Sequence, residues 1–164
     1  MPALLPVLVA LAAAAQPAPA LCPSAERLRP LTVTTLCAIN VVRDHHGVPP
    51  LRPDSRLADA ARRHSRDMVA RGYFSHTTPG GATPRTRIAA SGWMRGRSRW
   101  RIGENLAWRS RDATPRMIVR MWLRSPGHRR NLLDGRFHVV GLGIASGTPT
   151  GGARGATFTA DFGS

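Results

Sequence analysis

The stretches HVVGLGI at residues 138–144 and ATFTADF at residues 156–162 decide the fold class of this chain. Both are short, contain β-branched and aromatic residues and are bounded by turn-forming residues, which is typical of β-strands. The Gly, Thr and Pro residues of segment 146–154 separate them, so the two strands are predicted to pair as an antiparallel hairpin. The segments before this hairpin have helical periodicity instead. Helices first and strands last predict an α+β domain whose helices pack on a small sheet.

Helix signals precede the hairpin at several places. Each predicted helix has a capping residue or a proline at its start, or a glycine at its end. The predicted helices cover residues 32–46, the residues between Asp54 and Gly72, residues 84–91, and a segment from Thr114 to the sequence SPGH at 125–128. Segment 92–102 is irregular and rich in Arg, and its two Trp residues either stack with Arg side chains or cover a loop.

His64 lies on the apolar face of the second predicted helix, together with Leu57, Ala61 and Met68. A histidine in such a position is more often a hydrogen-bonded core residue than a ligand. His64 is therefore predicted to be structural.

The charge of the chain is strongly unbalanced. Among 164 residues there are 24 basic residues, all of them Arg, and 9 acidic ones, which gives a formal net charge of +15. Such a charge attracts polyanions, but exclusive use of Arg beside abundant Ala, Gly and Pro is equally typical of a GC-rich genome. No Arg run is longer than two and no nucleic-acid-binding motif is present, so nucleic acid is not an expected partner. An anionic surface polymer remains open as a partner, with Arg95, Arg97, Arg99 and Arg101 as the candidate contacts.

Residues 1–20 (MPALLPVLVALAAAAQPAPA) are predicted to be a signal peptide, because an apolar stretch is followed by small residues in an A-x-A pattern. The stretch is too short and too broken by Pro to span a bilayer comfortably, so the mature protein is expected to be secreted, extracellular and without a transmembrane segment. No Arg precedes Arg27, so the basic start of a typical signal is missing, and a mis-assigned start codon is the alternative. The remaining residues, roughly 140, are the usual size of one domain.

Cys22 and Cys37 are the only cysteines, 15 positions apart. In an oxidising compartment they are predicted to form a disulfide, which would contribute about 3 kcal/mol by closing a loop of this length. Two free buried thiols are the alternative. A zinc site is disfavoured, because there is no C-x-x-C spacing and no nearby His at ligand spacing.

Six segments carry a resemblance to a known family. They are residues 40–51 (N-x-x-R-x-x-H-G-V-P-P-L), 57–68 (L-x-x-x-A-x-x-H-S-x-x-M), 73–76 (YFSH), 103–107 (GENLA), 122–133 (W-x-x-S-P-G-H-R-x-N-L-L) and 140–143 (VGLG). In this order they resemble the CAP superfamily (cysteine-rich secretory proteins, antigen 5 and pathogenesis-related 1 proteins), in its short bacterial branch. The resemblance implies a CAP-type α-β-α sandwich, with a central antiparallel sheet flanked by helices and a surface cleft. The domain would cover residues 32–164, with residues 21–31 as an N-terminal extension.

Family members carry two His and two Glu in the cleft. The matching residues here are His76, Glu104 and His128. The second Glu is absent, because Ser125 stands at its position, and this weakens any mechanism that needs two carboxylates.

Three roles are open for this trio. His76 and His128 can hold a divalent metal, with zinc the first candidate, while Glu104 orients a ring or a bound water. Glu104 can also act as a general base towards such a water. Alternatively, the three side chains only hydrogen-bond one another and pin two loops to the core.

The expected function is that of a secreted binding module, a monomer whose cleft holds a divalent metal and a lipid or cell-envelope ligand. This expectation rests on the resemblance. The alternative is a metal-assisted, peptidase-like hydrolase that uses the same cleft, with Glu104 as the candidate catalytic residue. No motif of another enzyme class is present in the sequence.

Overall fold

Five helices and four strands make up residues 30–164, the part of the chain that the computed structural model describes. The helices are α1 (Leu31–His45), α2 (Ser55–Arg71), α3 (Pro84–Ala90), α4 (Pro115–Arg124) and α5 (Pro126–Leu133). The strands are β1 (Arg52–Pro53), β2 (Ile102–Arg109), β3 (Val139–Ser146) and β4 (Ala156–Gly163). Among these helices, none is long and apolar enough to cross a bilayer. The predicted signal peptide at residues 1–20 and Cys22 lie outside the described residues, so the signal peptide and the disulfide to Cys37 stay predictions.

Capping interactions explain why the predicted helices begin and end close to the expected residues. The carboxylate of Asp54 accepts a hydrogen bond of 3.0 Å from the backbone N–H of Leu57 at the start of α2. Gly72 ends the same helix in the left-handed conformation, with φ of 66°. At the start of α4, the Thr114 hydroxyl accepts from the backbone N–H of Met117. These local signals are confirmed.

The four strands form one sheet in the order β1-β3-β4-β2. The pairs β3–β4 and β2–β4 are antiparallel, which confirms the predicted hairpin and the antiparallel centre of the sheet. The two-residue strand β1 pairs with β3 in parallel, so the complete sheet is mixed. In the register of the long strands, Asp161 lies between Glu104 of β2 and Gly141 of β3.

Besides the two-residue strand β1, two elements were not predicted, β2 and α5. The residues of β2 lack a simple alternation because its central residues 104–107 are all buried, so side chains on both faces of the strand are covered. The sequence at 125–128 does end α4, but it also starts α5. Ser125 is both the C-cap of α4 and the N-cap of α5, and Pro126 is in the first turn of α5.

Helices cover both faces of the sheet, which confirms the α+β class and the α-β-α sandwich. On one face, α1, α4 and α5 pack on the sheet. The buried core of that face includes Ile39, Ile118, Trp122, Leu132, Phe158, Ala160 and Phe162. On the other face, α2 and α3 pack over a smaller cluster of Leu57, Ala60, Ile88 and Trp93.

Helix α2 lies directly on the backbone of β3 because two positions of that strand have no side chain. A methyl group built on Gly141 would overlap the backbone of Leu57 and Ala58, and one built on Gly143 would overlap that of Ala61 and Arg62. The close approach also permits a polar contact, since the Ser65 hydroxyl donates to the carbonyl of Gly143 at 3.0 Å. The VGLG motif is therefore a packing motif.

Arg43 is fully buried at the other side of the domain. Its guanidinium donates hydrogen bonds to backbone carbonyl oxygens of three neighbouring segments, namely those of Pro49, Leu132, Asp134 and Phe137. Two of these acceptors lie at the C-terminal end of α5, where a cation also interacts favourably with the helix dipole. Arg43 thus joins α1, the loop before β1 and the end of α5.

The irregular segment 92–102 uses its Trp residues in both of the predicted ways. Trp93 is buried against Gly163 and donates to the Asp54 carboxylate at 3.1 Å. The guanidinium of Arg97 lies 4.4 Å from the centre of the Trp93 ring, and that of Arg85 lies 5.1 Å from the Trp100 ring. The segment therefore covers the end of the sheet and carries cation–π contacts.

We predict that Gly143→Ala destabilises the domain by more than about 3 kcal/mol, because the added methyl group meets rigid backbone of α2 rather than a movable side chain. Urea unfolding followed by circular dichroism measures the change. The matched control is Gly127→Ala in α5, where the closest atom to a built methyl group is the end of the Arg130 side chain at 3.8 Å. This control should change stability by less than about 1 kcal/mol. Equal effects of the two substitutions would contradict the packing role of Gly143.

Candidate functional site

The site lies at the edge strand β2, on the face of the sheet that α2 covers. Glu104 is the third residue of β2 and pairs with Asp161 of β4, which in turn pairs with Gly141 beneath α2. Residues paired directly across a sheet project to the same face. Glu104 therefore belongs to the α2 side of the sandwich.

His76 and Glu104 are in direct contact. The Nδ1 atom of His76 lies 2.7 Å from Oε1 of Glu104. The side chain of Glu104 is 2% exposed, whereas that of His76 is 52% exposed. A buried carboxylate therefore holds a ring that faces solvent.

Arg87 of α3 completes this arrangement. It donates to Oε2 of Glu104 at 2.6 Å, and also to the backbone carbonyls of His76 and Ala82 at 2.8 Å each. Arg87 thus fixes both the carboxylate and the loop that carries His76. Arg87 was not predicted from the sequence, because nothing in its local pattern distinguishes it from the other arginines.

Glu104 is ionised in this setting. Burial by itself raises the pKa of its carboxyl group, but the hydrogen bond from His76 and the charge of Arg87 outweigh burial, so the pKa lies below its ordinary value. Both carboxylate oxygens accept hydrogen bonds from these two partners. Each carboxylate oxygen therefore has one charged or ring N–H donor, and lone pairs remain for a further donor.

His128 reaches the site from the first turn of α5. Its backbone carbonyl accepts from Asn105 at 3.0 Å, and Asn131 donates both to Asn105 at 2.9 Å and to the carbonyl of Glu104 at 3.2 Å. Burial, and then the charge of His76, lower the pKa of the His128 ring. Within residues 30–164, no hydrogen bond to this ring is found. The structure thus links His76 to Glu104 directly and holds His128 beside them through the backbone.

His64 is a core residue, as predicted. It is 1% exposed, its Nε2 atom lies 3.0 Å from the carbonyl of Ser75, and its Nδ1 atom lies 3.4 Å from the hydroxyl of Tyr73. Burial, and then the charge of Arg87, lower the pKa of His64. Its role is to fix residues 73–76, the segment that leads into His76.

A further acidic residue, Asp161, lies beside Glu104 and was not identified from the sequence. It is fully buried, and neither of its carboxylate oxygens has a hydrogen-bond partner among the described residues. Burial, and then the charge of Glu104, raise the pKa of Asp161 well above its ordinary value.

The arrangement presents one fixed imidazole at the surface. In the neutral His76 ring, Nδ1 carries the proton because it faces a carboxylate, and Nε2 is then the ring nitrogen with a free lone pair. A carboxylate behind a histidine in this way is the usual outer support of a metal-binding ring. Nevertheless, no group of three or more His, Cys, Asp or Glu side chains within residues 30–164 is arranged to hold a metal ion. Any metal here would have His76 and His128 as its protein ligands.

A groove with a volume of about 340 Å³ lies between the C-terminal turns of α2 and the end of β3. Its lining residues come from the last turns of α2 and the end of β3, and are Arg66, Val69, Ala70, Ile144, Ala145 and Ser146. A volume of this size is within the range of small-molecule sites.

Comparisons with known proteins agree with this architecture. The family model described as "Cysteine-rich secretory protein family" (CAP) matches residues 36–162. In Bacillus subtilis strain 168, the uncharacterized protein YkwD is 34% identical over 110 residues, which is 66% of this chain and 40% of YkwD. The uncharacterized membrane protein YlbC of the same organism is 33% identical over 105 residues, 64% of this chain and 29% of YlbC.

A solved structure is similar as well. The chain superimposes with a TM-score of 0.67 and 30% identity on an extracellular protein containing an SCP domain from Bacillus anthracis strain Ames. The match covers 80% of this chain and 39% of that protein. The chain thus spans less than half the length of these three relatives.

We predict that Arg87→Met destabilises the domain by about 3–5 kcal/mol near neutral pH, because it leaves Glu104 buried without its cation. The partners of Glu104 hold its pKa below the unfolded value of about 4.3, so their stabilisation is present above that pH and is lost as the pH falls. The difference between wild type and variant should therefore shrink between about pH 7 and pH 3.5, as measured by urea unfolding.

The control for this prediction is Arg63→Met, at an exposed position of α2, which should change stability by less than about 0.5 kcal/mol at either pH. A pH-independent loss in Arg87→Met would show that only its bonds to backbone carbonyls matter.

Proposed function

Because the chain belongs to the CAP family of cysteine-rich secretory proteins, we propose that it is an extracellular binding domain whose cleft holds a divalent metal between His76 and His128. Zinc is the first candidate, since imidazole nitrogens suit it well. A lipid or a cell-envelope component is the proposed ligand class.

The observation that carries this proposal is the support behind His76. Arg87 fixes Glu104, and Glu104 fixes Nδ1 of His76, while the His76 ring remains half exposed. A solvent-facing imidazole with its tautomer set by a buried carboxylate is oriented in advance for a ligand on Nε2. His128, whose pKa is lowered by burial and by the charge of His76, is a neutral second donor.

A metal held by two histidines keeps other positions open for water or for ligand atoms. When bound, it would supply a Lewis-acid contact for an oxygen of the ligand. The protein's own residues orient the His76 ring and keep the neighbouring carboxylate ionised. Ser125 stands where the resemblance places a second Glu, so no second carboxylate comes from that position.

The hydrolase alternative is less well supported by the geometry. A general base needs a free oxygen within reach of the proton that it takes. Both oxygens of Glu104 are engaged, one by His76 and one by Arg87, and the side chain is 2% exposed. Its lowered pKa makes it a weaker base still. Binding is therefore the better proposal.

The extracellular location is supported by the predicted signal peptide at residues 1–20, by the predicted Cys22–Cys37 disulfide, and by the Bacillus anthracis relative described as extracellular. The name of YlbC as a membrane protein fits an envelope location equally. The groove between α2 and β3 offers apolar side chains beside Arg66, and this combination suits an anionic amphiphile. Exposed arginines such as Arg95 and Arg99 would add a salt-sensitive attraction to anionic surface polymers.

The test is a zinc titration by calorimetry on the full chain, which compares wild type with the double variant His76→Ala, His128→Ala. We expect binding of one zinc per chain in wild type and at least a tenfold weaker affinity in the double variant. The matched control is His45→Ala, an exposed histidine at the end of α1, which should bind as wild type does.

Two outcomes would decide against parts of the proposal. Absence of zinc binding by folded wild-type protein would leave the trio as a structural network. A peptidase activity that requires zinc and is lost in folded Glu104→Gln would favour the hydrolase alternative.

A further inference from the structure

Asp161 and Glu104 form a pair of neighbouring carboxyl groups inside the sandwich. They are direct partners in the antiparallel register of β2 and β4, so their side chains leave the same face of the sheet, about 5 Å apart at their Cβ atoms. Asp161 is 0% exposed, and the side chain of Glu104 is 2% exposed. Two carboxyl groups in this position cannot both be ionised without a strong electrostatic penalty.

The hydrogen bonds show which of the two carries the charge. Glu104 accepts from His76 and Arg87, whereas neither oxygen of Asp161 accepts from any residue in the described part of the chain. A fully buried carboxylate without donors is unfavourable, and such a group stays protonated instead. The negative charge therefore belongs to Glu104.

The other polar groups that face this pair are committed elsewhere. From α3, Arg87 donates to Glu104 and to two backbone carbonyls, and its Nε atom has no hydrogen-bond partner among the described residues, so Arg87 makes no hydrogen bond to Asp161. From α2, His64 is bonded to the carbonyl of Ser75, and Ser65 to that of Gly143. From β2, Glu104 is the facing group, and its carboxylate can accept a hydrogen bond from the O–H group of a protonated acid.

We propose that Asp161 is a neutral carboxylic acid that donates its proton in a hydrogen bond to the Glu104 carboxylate, and that it is thereby a positioning residue of the His76 site. The buried hydroxyl group of neutral Asp161 then has a hydrogen-bond acceptor, and Glu104 keeps its negative charge. Glu104 then remains the acceptor that His76 and Arg87 require. If Asp161 were ionised, the two carboxylates would compete for Arg87, and the support behind His76 would be lost.

Burial and the adjacent charge of Glu104 both raise the pKa of Asp161, in agreement with this geometry. The effect of Asp161 on metal affinity rests on the proposed function, but the protonation state of Asp161 does not. The two can therefore be tested separately.

The first experiment measures protonation through stability. Unfolding equilibrium constants of wild type and Asp161→Asn are measured in urea between pH 4 and pH 8. A raised pKa in the folded state means that the stabilisation by the proton is complete below the unfolded pKa and is lost as the pH rises towards the folded value. The ratio of the wild-type constant to that of Asp161→Asn should therefore rise about tenfold per pH unit above about pH 4, until the folded pKa is reached.

A ratio that stays flat or falls over this range would overturn the proposal, because it would mean that Asp161 ionises in the folded protein as it does in the unfolded chain. The carboxyl carbon shift of Asp161 in wild type, followed by NMR, gives an independent reading that needs no variant. It should keep the value of a protonated acid at neutral pH.

The second experiment measures positioning. Asp161→Asn retains a neutral donor and should bind zinc within about threefold of wild type, whereas Asp161→Ala removes the donor and should bind at least about tenfold more weakly. Wild-type affinity in folded Asp161→Ala would exclude the positioning role. Should wild type itself bind no zinc, the proposed metal function fails, and the pH series and the NMR shift still decide whether Asp161 holds the proton.

Discussion

The contact between the backbones of α2 and β3 is the constraint on which the rest of the structure depends. Gly141 and Gly143 leave room for α2 on the sheet, so the helix axis is set by main-chain contact rather than by adaptable side chains. The position of α2 then determines where the chain leaves it. Gly72 reverses the direction in a left-handed conformation, and the segment 73–76 returns over the edge strand, held by His64. His76 contacts Glu104 because α2, which packs on the sheet, ends where the following segment 73–76 can reach β2.

Two arginines stabilise the domain in different ways: Arg43 is fully buried, and the side chain of Arg87 is 10% exposed. Arg43 is surrounded by backbone carbonyls, so its charge is dispersed over peptide dipoles and it joins segments far apart in the chain. Arg87 is paired with an acid, and its charge is used to keep Glu104 ionised beside Asp161. The first arrangement is purely structural, since it leaves no polar group for chemistry. In the second arrangement, Arg87 keeps Glu104 ionised, and Glu104 holds the exposed imidazole of His76 by its Nδ1 atom.

The features that could be predicted from the sequence are those with a local physical cause. The bounds of α2 follow from the cap at Asp54 and the glycine at position 72, and the hairpin follows from strand-forming residues on both sides of a Gly-rich turn. His76 and Glu104 were identified through their motifs, and the structure places their side chains in contact. By contrast, β2 is covered on both faces and so lacks alternation, and α5 begins immediately where α4 ends. Arg87 and Asp161 acquire their roles only through burial and cross-strand pairing, which no spacing along the chain encodes.

The two ends of the sheet have a consequence for how the domain behaves in a crowded solution. An open sheet exposes unpaired backbone groups at its edges, and these can recruit strands from other molecules. Here one edge is β1, which has only two residues, and the other is β2, whose centre is buried and whose Glu104 carbonyl is already bonded to Asn131. Neither edge offers a long free ladder. The residues that build the site therefore also protect the sheet against strand addition, so a change that frees Asn131 would expose the domain to aggregation as well as loosen the site.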